Sequence, residues 1–466
     1  MITAMRFSPQ RHAAGIALLA SALAGCAVGP DYHRPSVPTA AAYKALAGWT
    51  PAMPADAFDR GDWWTLFNDL ALNTLMQQVA ISNNNVAAAT AAYAQARALV
   101  REQRAGLFPV VSLNGSGRRN GGNSTQSTAN NFQASIGATW EPDVWGRLTR
   151  AADAADATAA ASAADLASAL LSARGELAID YFSLRQTDRQ RQLLQDTIAA
   201  YQRTLTITQN RYAAGIAAKT DLLQAQTQLA NAQADATGLD RTRAQFEHAI
   251  AVLVGQTPSD FVLAQSAVID RVPEIPVGVP STLLQRRPDI AAAERRVAAA
   301  NEQIGIAQAA YYPSLNLSAS YGGNARRVAD LFSASNSIWS LGLSAAEVLF
   351  NAGATKARVA GAEAAQDQAA ARYRQTVLTA FQGVEDQLSA TTVLRQQQQL
   401  REQASRAADL AEAQVLNRYR AGQVGFTEVV SAQVTALTAR RALAQNAGDR
   451  QVTAVALIQA LGGGWK

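Results

Sequence analysis

Residues 132–140 read Phe132-Gln133-Ala134-Ser135-Ile136-Gly137-Ala138-Thr139-Trp140, so apolar side chains alternate with polar or small ones. This period of two predicts a β-strand near 132–144 with one apolar and one wet face. The same alternation predicts strands near 108–119, 312–322 and 337–349. A half-buried sheet in a water-soluble protein shows the same pattern, so alternation alone favours that interpretation.

Two further features favour a membrane location for these strands. Each is about ten residues long, which is the length that a tilted transmembrane strand needs. Aromatic residues lie near the predicted strand ends, as they do at the two surfaces of a bilayer, at Trp140, Trp145, Tyr312 and Trp339. The hairpin tips at 118–131 and 323–336 are rich in Gly, Asn and Ser, as extracellular loops usually are.

Four strands per chain cannot close a barrel alone. An open sheet edge in lipid leaves backbone groups unpaired, and the smallest membrane barrels need about eight strands. Copies of the chain must therefore share one barrel. Eight strands from a dimer would enclose only packed side chains, whereas twelve from a trimer would leave a lumen.

Very long helices are predicted next to the strands. Residues 147–210 and 354–417 are each about 96 Å long at about 1.5 Å per residue, and return helices are predicted at 216–254 and 423–461. Alanine lies on more than one face of these helices, which suits contact with neighbours on both sides. We therefore expect a helical tube that continues the barrel, and the alternative is a coiled-coil rod.

The chain contains an internal duplication. Residues 210–226 and 417–433 are identical at eight of seventeen positions, including an Arg-Tyr-x-x-Gly turn in each copy. Each half has the order helix, β-hairpin, long helix and return helix, and the first helices are predicted at 70–106 and 283–310. The predicted segments are a signal peptide at 1–25, a lipidated extended arm at 26–69, a first repeat at 70–254, a linker at 255–282 and a second repeat at 283–466.

The N-terminus has the order of a secretory signal. Arg6 and Arg11 precede an apolar run at 16–20 that is too short to span a bilayer. The segment Leu23-Ala24-Gly25-Cys26 resembles a bacterial lipobox, so we expect a covalent lipid on Cys26, such as palmitate. By the same resemblance, Ala27 directs the lipoprotein to the outer membrane. The alternative is an ordinary signal peptide that happens to contain a cysteine.

The composition argues against catalysis, resident cofactors and nucleic-acid binding. Cys26 is the sole cysteine, and His12 lies in the leader, which leaves His33 and His248 for metal or acid–base chemistry. No phosphate-binding glycine loop of the P-loop form and no catalytic triad is apparent. The formal net charge is only +5. We therefore expect no enzyme, no metal site, no cofactor and no nucleic-acid partner.

Several motifs, in their order and spacing, resemble the TolC-like outer-membrane efflux proteins, specifically the lipoprotein branch that works with resistance-nodulation-division pumps. They are Cys26-Ala27-Val28-Gly29-Pro30-Asp31-Tyr32, Trp63-Trp64 with Phe67 and Asp69, the two Arg-Tyr-x-x-Gly turns, Arg286-Arg287-Pro288-Asp289-Ile290 followed by Ala293-Glu294 and Ile304-Gly305, and Tyr312-Pro313-Ser314-Leu315.

The resemblance implies an α+β membrane protein: a homotrimer in which a twelve-stranded barrel, four strands per chain, continues into a helical barrel in the periplasm. It implies a lipid-anchored outer-membrane channel that passively exports small toxic compounds or drugs. The implied partners are a periplasmic adaptor, an inner-membrane resistance-nodulation-division pump and outer-membrane lipid. The alternatives are a type I protein secretion duct in the same fold and a structural coiled-coil surface lipoprotein.

The resemblance also implies functional residues at the helix turns. The adaptor would dock on two periplasmic tips, formed by Arg211, Tyr212 and Gly215 in the first half and by Arg418, Tyr419 and Gly422 in the second. The glycines would also end their helices as ordinary C-terminal caps. Some family members narrow the tunnel mouth with two acids, and the matching positions here are Glu428 and Ser431. Glu428 could instead be a solvated acid that complements the helix dipole.

Overall fold

The computed structural model describes residues 27–37, 61–121, 129–266, 272–273 and 287–463. Across these residues the chain forms four β-strands and seven α-helices. In chain order they are α1 (Leu70–Ser82), α2 (Asn84–Ala105), β1 (Val110–Asn120), β2 (Ala129–Trp140), α3 (Arg147–Ala213), α4 (Lys219–Leu253), α5 (Pro288–Ala309), β3 (Ser314–Ala325), β4 (Ser337–Ala346), α6 (Ala354–Arg420) and α7 (Phe426–Ala460).

The first helix predicted from the sequence, 70–106, is two helices. Asn83 separates α1 from α2 with an extended backbone, φ −71° and ψ 121°. Its side-chain oxygen accepts the N–H groups of Asn85 and Val86 at 2.9 and 3.1 Å, and its amide donates to the Leu253 carbonyl at 2.8 Å. Asn83 is therefore a buried N-cap for α2, a role for which asparagine is well suited. The prediction of one continuous helix was wrong at this residue.

Within the described residues, the remaining predictions of helices and strands differ from the structure only near the ends, and residues 283–286 of the helix predicted at 283–310 lie outside the described residues. The helices α3 and α6 have 67 residues each, three more than predicted. The return helices α4 and α7 begin three residues later than predicted, because Ala218 and Gly425 still have extended backbones and serve as N-caps. Strand β2 ends at Trp140 rather than near 144, and Pro142, which has no N–H to donate, follows two residues later.

One compact unit takes in the described residues of 1–36, 92–163 and 292–374, and it contains the whole sheet. The strands are antiparallel and lie in the order β1-β2-β3-β4. Hairpins β1–β2 and β3–β4 come from different halves of the sequence, and β2 joins them by pairing with β3. Strands β1 and β4 are consequently the two edges of the sheet.

The second compact unit takes in the described residues of 37–91, 164–291 and 375–466. Its main apolar cluster joins the 3-10 helix Trp63–Phe67 to α1, the middle of α3 and the ends of α4 and α7. Asp69 caps α1 by accepting the N–H groups of Ala71 and Leu72, and its second oxygen accepts the hydroxyl of Tyr181 at 2.6 Å. Burial, followed by this bond to Asp69, raises the pKa of Tyr181. The Trp63–Asp69 motif is therefore part of the core.

Candidate functional site

The strand register places apolar side chains in rows across one face of the sheet. Leu113 pairs with Ile136, Ile136 with Tyr321, and Tyr321 with Trp339. These four side chains are 78%, 57%, 66% and 77% exposed. The neighbouring row continues this face with Val111, Ala138, Ala319 and Leu341. An exposed apolar face of this extent suits contact with lipid and would be a liability in water.

The other face of the sheet is mostly polar, with Val110 and Ile338 as its large apolar side chains. Ser112, Gly137, Ser320 and Ser340 form one row, and the hydroxyl oxygens of Ser320 and Ser340 are 2.8 Å apart. The sheet therefore separates an apolar side from a hydrated side, as the wall of a water-filled barrel must.

Three of the four aromatic residues expected near strand ends lie at the end of the sheet where β1 and β3 begin. The rings of Trp145 and Tyr312 stack with their centroids 4.8 Å apart, and the Trp145 indole donates to the Pro313 carbonyl at 2.7 Å. The Trp140 indole donates to the Leu107 carbonyl at 2.9 Å. Rings with one polar partner suit the boundary between lipid and water.

The N-terminal arm at 27–36 packs within the same compact unit as the sheet. The backbone N–H of Val28 donates to the Trp145 carbonyl at 3.1 Å. A Cβ on Gly29, whose φ is +120°, would lie 2.5 Å from the Cα of Gly305. The Pro30 carbonyl accepts from the side chain of Asn301 at 3.0 Å. The residue predicted to be lipidated, Cys26, lies outside the described residues and directly precedes this arm.

Side-chain contacts hold the rest of the arm. The Tyr32 hydroxyl donates to Glu294 Oε1 at 2.5 Å, and burial together with Glu294 raises the pKa of Tyr32. Arg34 donates to the Tyr373 hydroxyl at 2.8 Å. The motifs around Tyr32, Glu294 and Gly305, which are distant in the sequence, thus face one another. Nothing in their spacing predicted this contact.

The two Arg-Tyr-x-x-Gly turns end α3 and α6 with the same hydrogen bonds. Gly215 and Gly422 have φ of +73° and +74°. The N–H groups of the next residues, Ile216 and Gln423, reach back to the carbonyls of Arg211 and Arg418 at 2.8 and 2.9 Å. These are Schellman C-terminal caps, so both glycines have a structural role.

The two turns use their tyrosines differently. Tyr419 is 2% exposed and packs against Phe426, whereas Tyr212 is 42% exposed. Arg211 donates to the Tyr419 carbonyl at 2.7 Å, and its guanidinium lies 4.7 Å from the centre of the Tyr419 ring. Arg418 is exposed. The structure thus brings Arg211 and Tyr419 together and leaves Tyr212 and Arg418 on the surface.

Glu428 and Ser431 are both exposed and lie three residues apart at the start of α7, with the buried Val429 between them in sequence. Glu428 is in the first turn, where a carboxylate complements the helix dipole. The residue at the matching place in α4, Asp221, also lies in a first turn.

The sequence did not predict a buried network of charged side chains around Asp188. Asp188 Oδ1 accepts from Arg243 at 2.8 Å, and its other oxygen lies 3.3 Å from Arg185. The two arginines also donate to the carbonyls of Leu263 and Ala264 at 2.6 and 2.8 Å. Burial alone would lower the pKa of Arg243, but the neighbouring carboxylates of Asp188 and Glu247 raise it. The network fixes the start of the linker, for which the sequence had suggested no structure.

Side chains of the types that bind metal ions are dispersed in the described part of the chain. Within it, no three His, Cys, Asp or Glu side chains gather into a group that could hold a metal ion. His33 and His248 are both exposed. Bilayer-spanning length and apolar character do not coincide in any helix of the described ranges.

Comparison with known proteins identifies one family model that matches most of the chain. The model described as "Outer membrane efflux protein" matches residues 75–256 and 279–463. The chain is 31% identical to the probable efflux pump outer membrane protein TtgC of Pseudomonas putida, over 97% of this chain and 95% of the relative. It is 29% identical to the cation efflux system protein CusC of Escherichia coli, over 96% of this chain and 98% of the relative.

Solved structures give the same result. The outer-membrane channel OprN superposes with a TM-score of 0.86 at 31% identity, covering 94% of this chain and 100% of that chain. A crystal structure of CusC also superposes with a TM-score of 0.86, at 26% identity and the same coverage.

Proposed function

The chain belongs to the outer membrane efflux protein family, and from this premise we propose that it is the outer-membrane channel of a tripartite efflux system. The resemblance and fold class predicted from the sequence motifs are confirmed. Three copies form a twelve-stranded barrel continued by helices in the periplasm. The channel works passively with a periplasmic adaptor and an inner-membrane pump, and it exports small toxic compounds.

One observation in the structure carries the proposal: the sheet has an exposed apolar face, a polar face and two free edges. The apolar row from Leu113 to Trp339 would face lipid, and the row from Ser112 to Ser340 would face water. The free edges require further copies of the chain, because lipid leaves no partner for their backbone groups. A water-soluble rod would need none of these features.

The family consists of channels rather than enzymes. For this chain we propose that no catalytic residue or cofactor takes part, apart from acyl chains on Cys26. Two or more acyl chains suffice for stable anchoring, since each buried CH2 group contributes about 0.8 kcal/mol. The domain boundaries and the lipidation of Cys26 stay predictions. Mass spectrometry of the mature N-terminal peptide would test both the cleavage before Cys26 and the attached lipid.

The adaptor would bind those side chains of the two tips that are exposed. Tyr212 and Arg418 are on the surface and free to meet a partner's helices, while Arg211 and Tyr419 are engaged with each other. Tyr212→Ala and Arg418→Ala should therefore lower adaptor binding with trimers intact. Normal adaptor affinity in both variants would contradict docking through these side chains.

Glu428 would place three carboxylates near the tunnel mouth, one from each copy, and favour cations there. Glu428→Gln should lower the cation-to-anion permeability ratio in planar bilayers, and Ser431→Glu, which adds an acid three residues along the same helix, should raise it. An unchanged ratio in both variants would leave Glu428 with its helix-dipole role alone.

Deletion and complementation test the function as a whole. A strain that lacks the protein should become sensitive to dyes and drugs, and the intact chain should restore resistance only when adaptor and pump are present. Normal sensitivity combined with loss of a secreted protein would instead indicate a type I secretion duct.

A further inference from the structure

Resting on the proposed trimer, we propose that the seam between copies is a β-ladder with a defined register, in which Ser344 of β4 lies opposite Ser112 of β1 in the next copy. The whole of β4 then pairs with β1. The partner surface is the open edge of a second copy of this chain.

The in-chain register limits the choices. The row Leu113, Ile136, Tyr321 and Trp339 runs straight across the four strands, so a barrel with upright strands would place Trp339 opposite Leu113 of the next copy. Tilted strands move this pairing along β1. The move must be an even number of residues, because an odd shift would turn apolar side chains into the lumen.

The tilt of the strands in a barrel follows from its shear, the number of residues by which a row of paired residues is displaced after one circuit of the barrel. A trimer has three seams and the rows within each copy are straight, so the shear here is three times the shift at one seam. With twelve strands about 4.8 Å apart and a rise of about 3.4 Å per residue, shifts of two, four and six residues give tilts of about 20°, 35° and 47°. Membrane barrels have tilts of about 35–45°. A shift of four lies within this range, and a shift of six lies just beyond it.

The lengths of the edge strands select among the shifts. A shift of four places all of Ser337–Ala346 opposite residues 110–119, which lie within β1. A shift of six moves the partner of Ser337 to residue 121, beyond the end of β1, and leaves Val110 and Val111 unpaired. A shift of four in the opposite direction would leave only Ser337 and Ile338 opposite β1. Since unpaired backbone groups are costly in lipid, the longest ladder is favoured.

One pair of side chains on the lipid face fits this register. A shift of four places Leu341 opposite Gly115 and Trp339 opposite Gly117. Apart from the residues next to it in sequence, no atom of the chain lies within 4 Å of where a Cβ on Gly115 would be, and Leu341 is 73% exposed. Leu341 would therefore fill open space over Gly115. Gly117 is already covered by the Phe132 ring, 3.2 Å from its Cβ position, so Trp339 would pack beside that ring.

Cysteine pairs across the seam test the register directly. Ser344→Cys would be combined in turn with Val110→Cys, Ser112→Cys and Asn114→Cys, which represent shifts of two, four and six residues. All four positions lie on the polar face, where an oxidant has access. Side chains directly opposite have Cβ atoms about 4.5–5.5 Å apart, whereas diagonal ones are about 7–8 Å apart, too far for a disulfide. Variants with only one of the introduced cysteines show how much linkage comes from disulfides to Cys26 or from random collisions between trimers.

We expect the Ser112/Ser344 pair to give disulfide-linked trimers at least about fivefold more efficiently than the other two pairs. Stronger linkage of Asn114 or Val110 to Ser344 would overturn the register and replace it by the neighbouring one. Absence of linkage in all three pairs, with trimers and efflux intact, would show that the edges do not form this ladder. If the unsubstituted chain itself formed no trimers and supported no efflux, the proposed function would be refuted instead.

Discussion

The duplicated tip tyrosines allow a matched comparison of two substitutions. Tyr419 is buried against Phe426 and covered by the guanidinium of Arg211, whereas Tyr212, its counterpart in the first half, is 42% exposed. Truncating a buried aromatic side chain costs about 3–5 kcal/mol, while a surface substitution usually changes stability by about 0.5 kcal/mol or less. Tyr419→Ala should therefore weaken its turn, and Tyr212→Ala should not.

Hydrogen exchange in the purified trimer measures this difference locally. A loss of about 3 kcal/mol speeds exchange through local opening by about 100-fold or more. The change should appear in the amides near the start of α7 in Tyr419→Ala and be absent there in Tyr212→Ala. Tyr419→Phe is the milder control, since it removes only the hydroxyl that lies 3.4 Å from Thr208 Oγ1. Equal exchange in Tyr419→Ala and Tyr212→Ala would refute the assignment of Tyr419 to the core of the tip.

Three further predictions concern pH and glycine positions. Burial, followed by repulsion from Glu176, raises the pKa of Asp180 to about 6. Because the folded state then binds more protons than the unfolded one between about pH 4 and 6, the melting temperature should fall as pH rises through this window, and Asp180→Asn should flatten the profile. Gly29→Ala should release the N-terminal arm and expose it to limited proteolysis, because the added Cβ would collide with Gly305. An arm that remains uncut in this variant would contradict the packing. Gly238→Ala, in a helix with open space around it, should stabilise by about 0.5–1 kcal/mol, measured as a higher melting temperature.

The regular elements were predictable because their periods are strong. Alternation along Phe132–Trp140 identified strand and face together, and the Arg-Tyr-x-x-Gly turns located both helix reversals. The break at Asn83 was missed because the flanking sequence remains helix-forming, and only a buried capping asparagine interrupts it. Capping depends on what lies nearby in space, in this case the Leu253 carbonyl.

The contacts of the functional residues were less predictable. The duplication suggested equivalent roles for Tyr212 and Tyr419, yet one is exposed and the other buried, because packing around the two turns differs while their sequences agree. The bond from Tyr32 to Glu294 and the bonds around Asp188 join residues from distant parts of the chain. Local patterns carry no information on such pairings, and long-range packing decides them.

Both compact units draw on both halves of the chain, and this has a consequence for biosynthesis. As the polypeptide emerges from its N-terminus, the hairpin β1–β2 is finished long before β3, the strand that must pair with Phe132–Trp140. During that interval the β2 edge of the hairpin has unpaired backbone groups, and such an edge is prone to self-association. The order of synthesis therefore leaves β2 without its partner strand until residues 314–325 have been made.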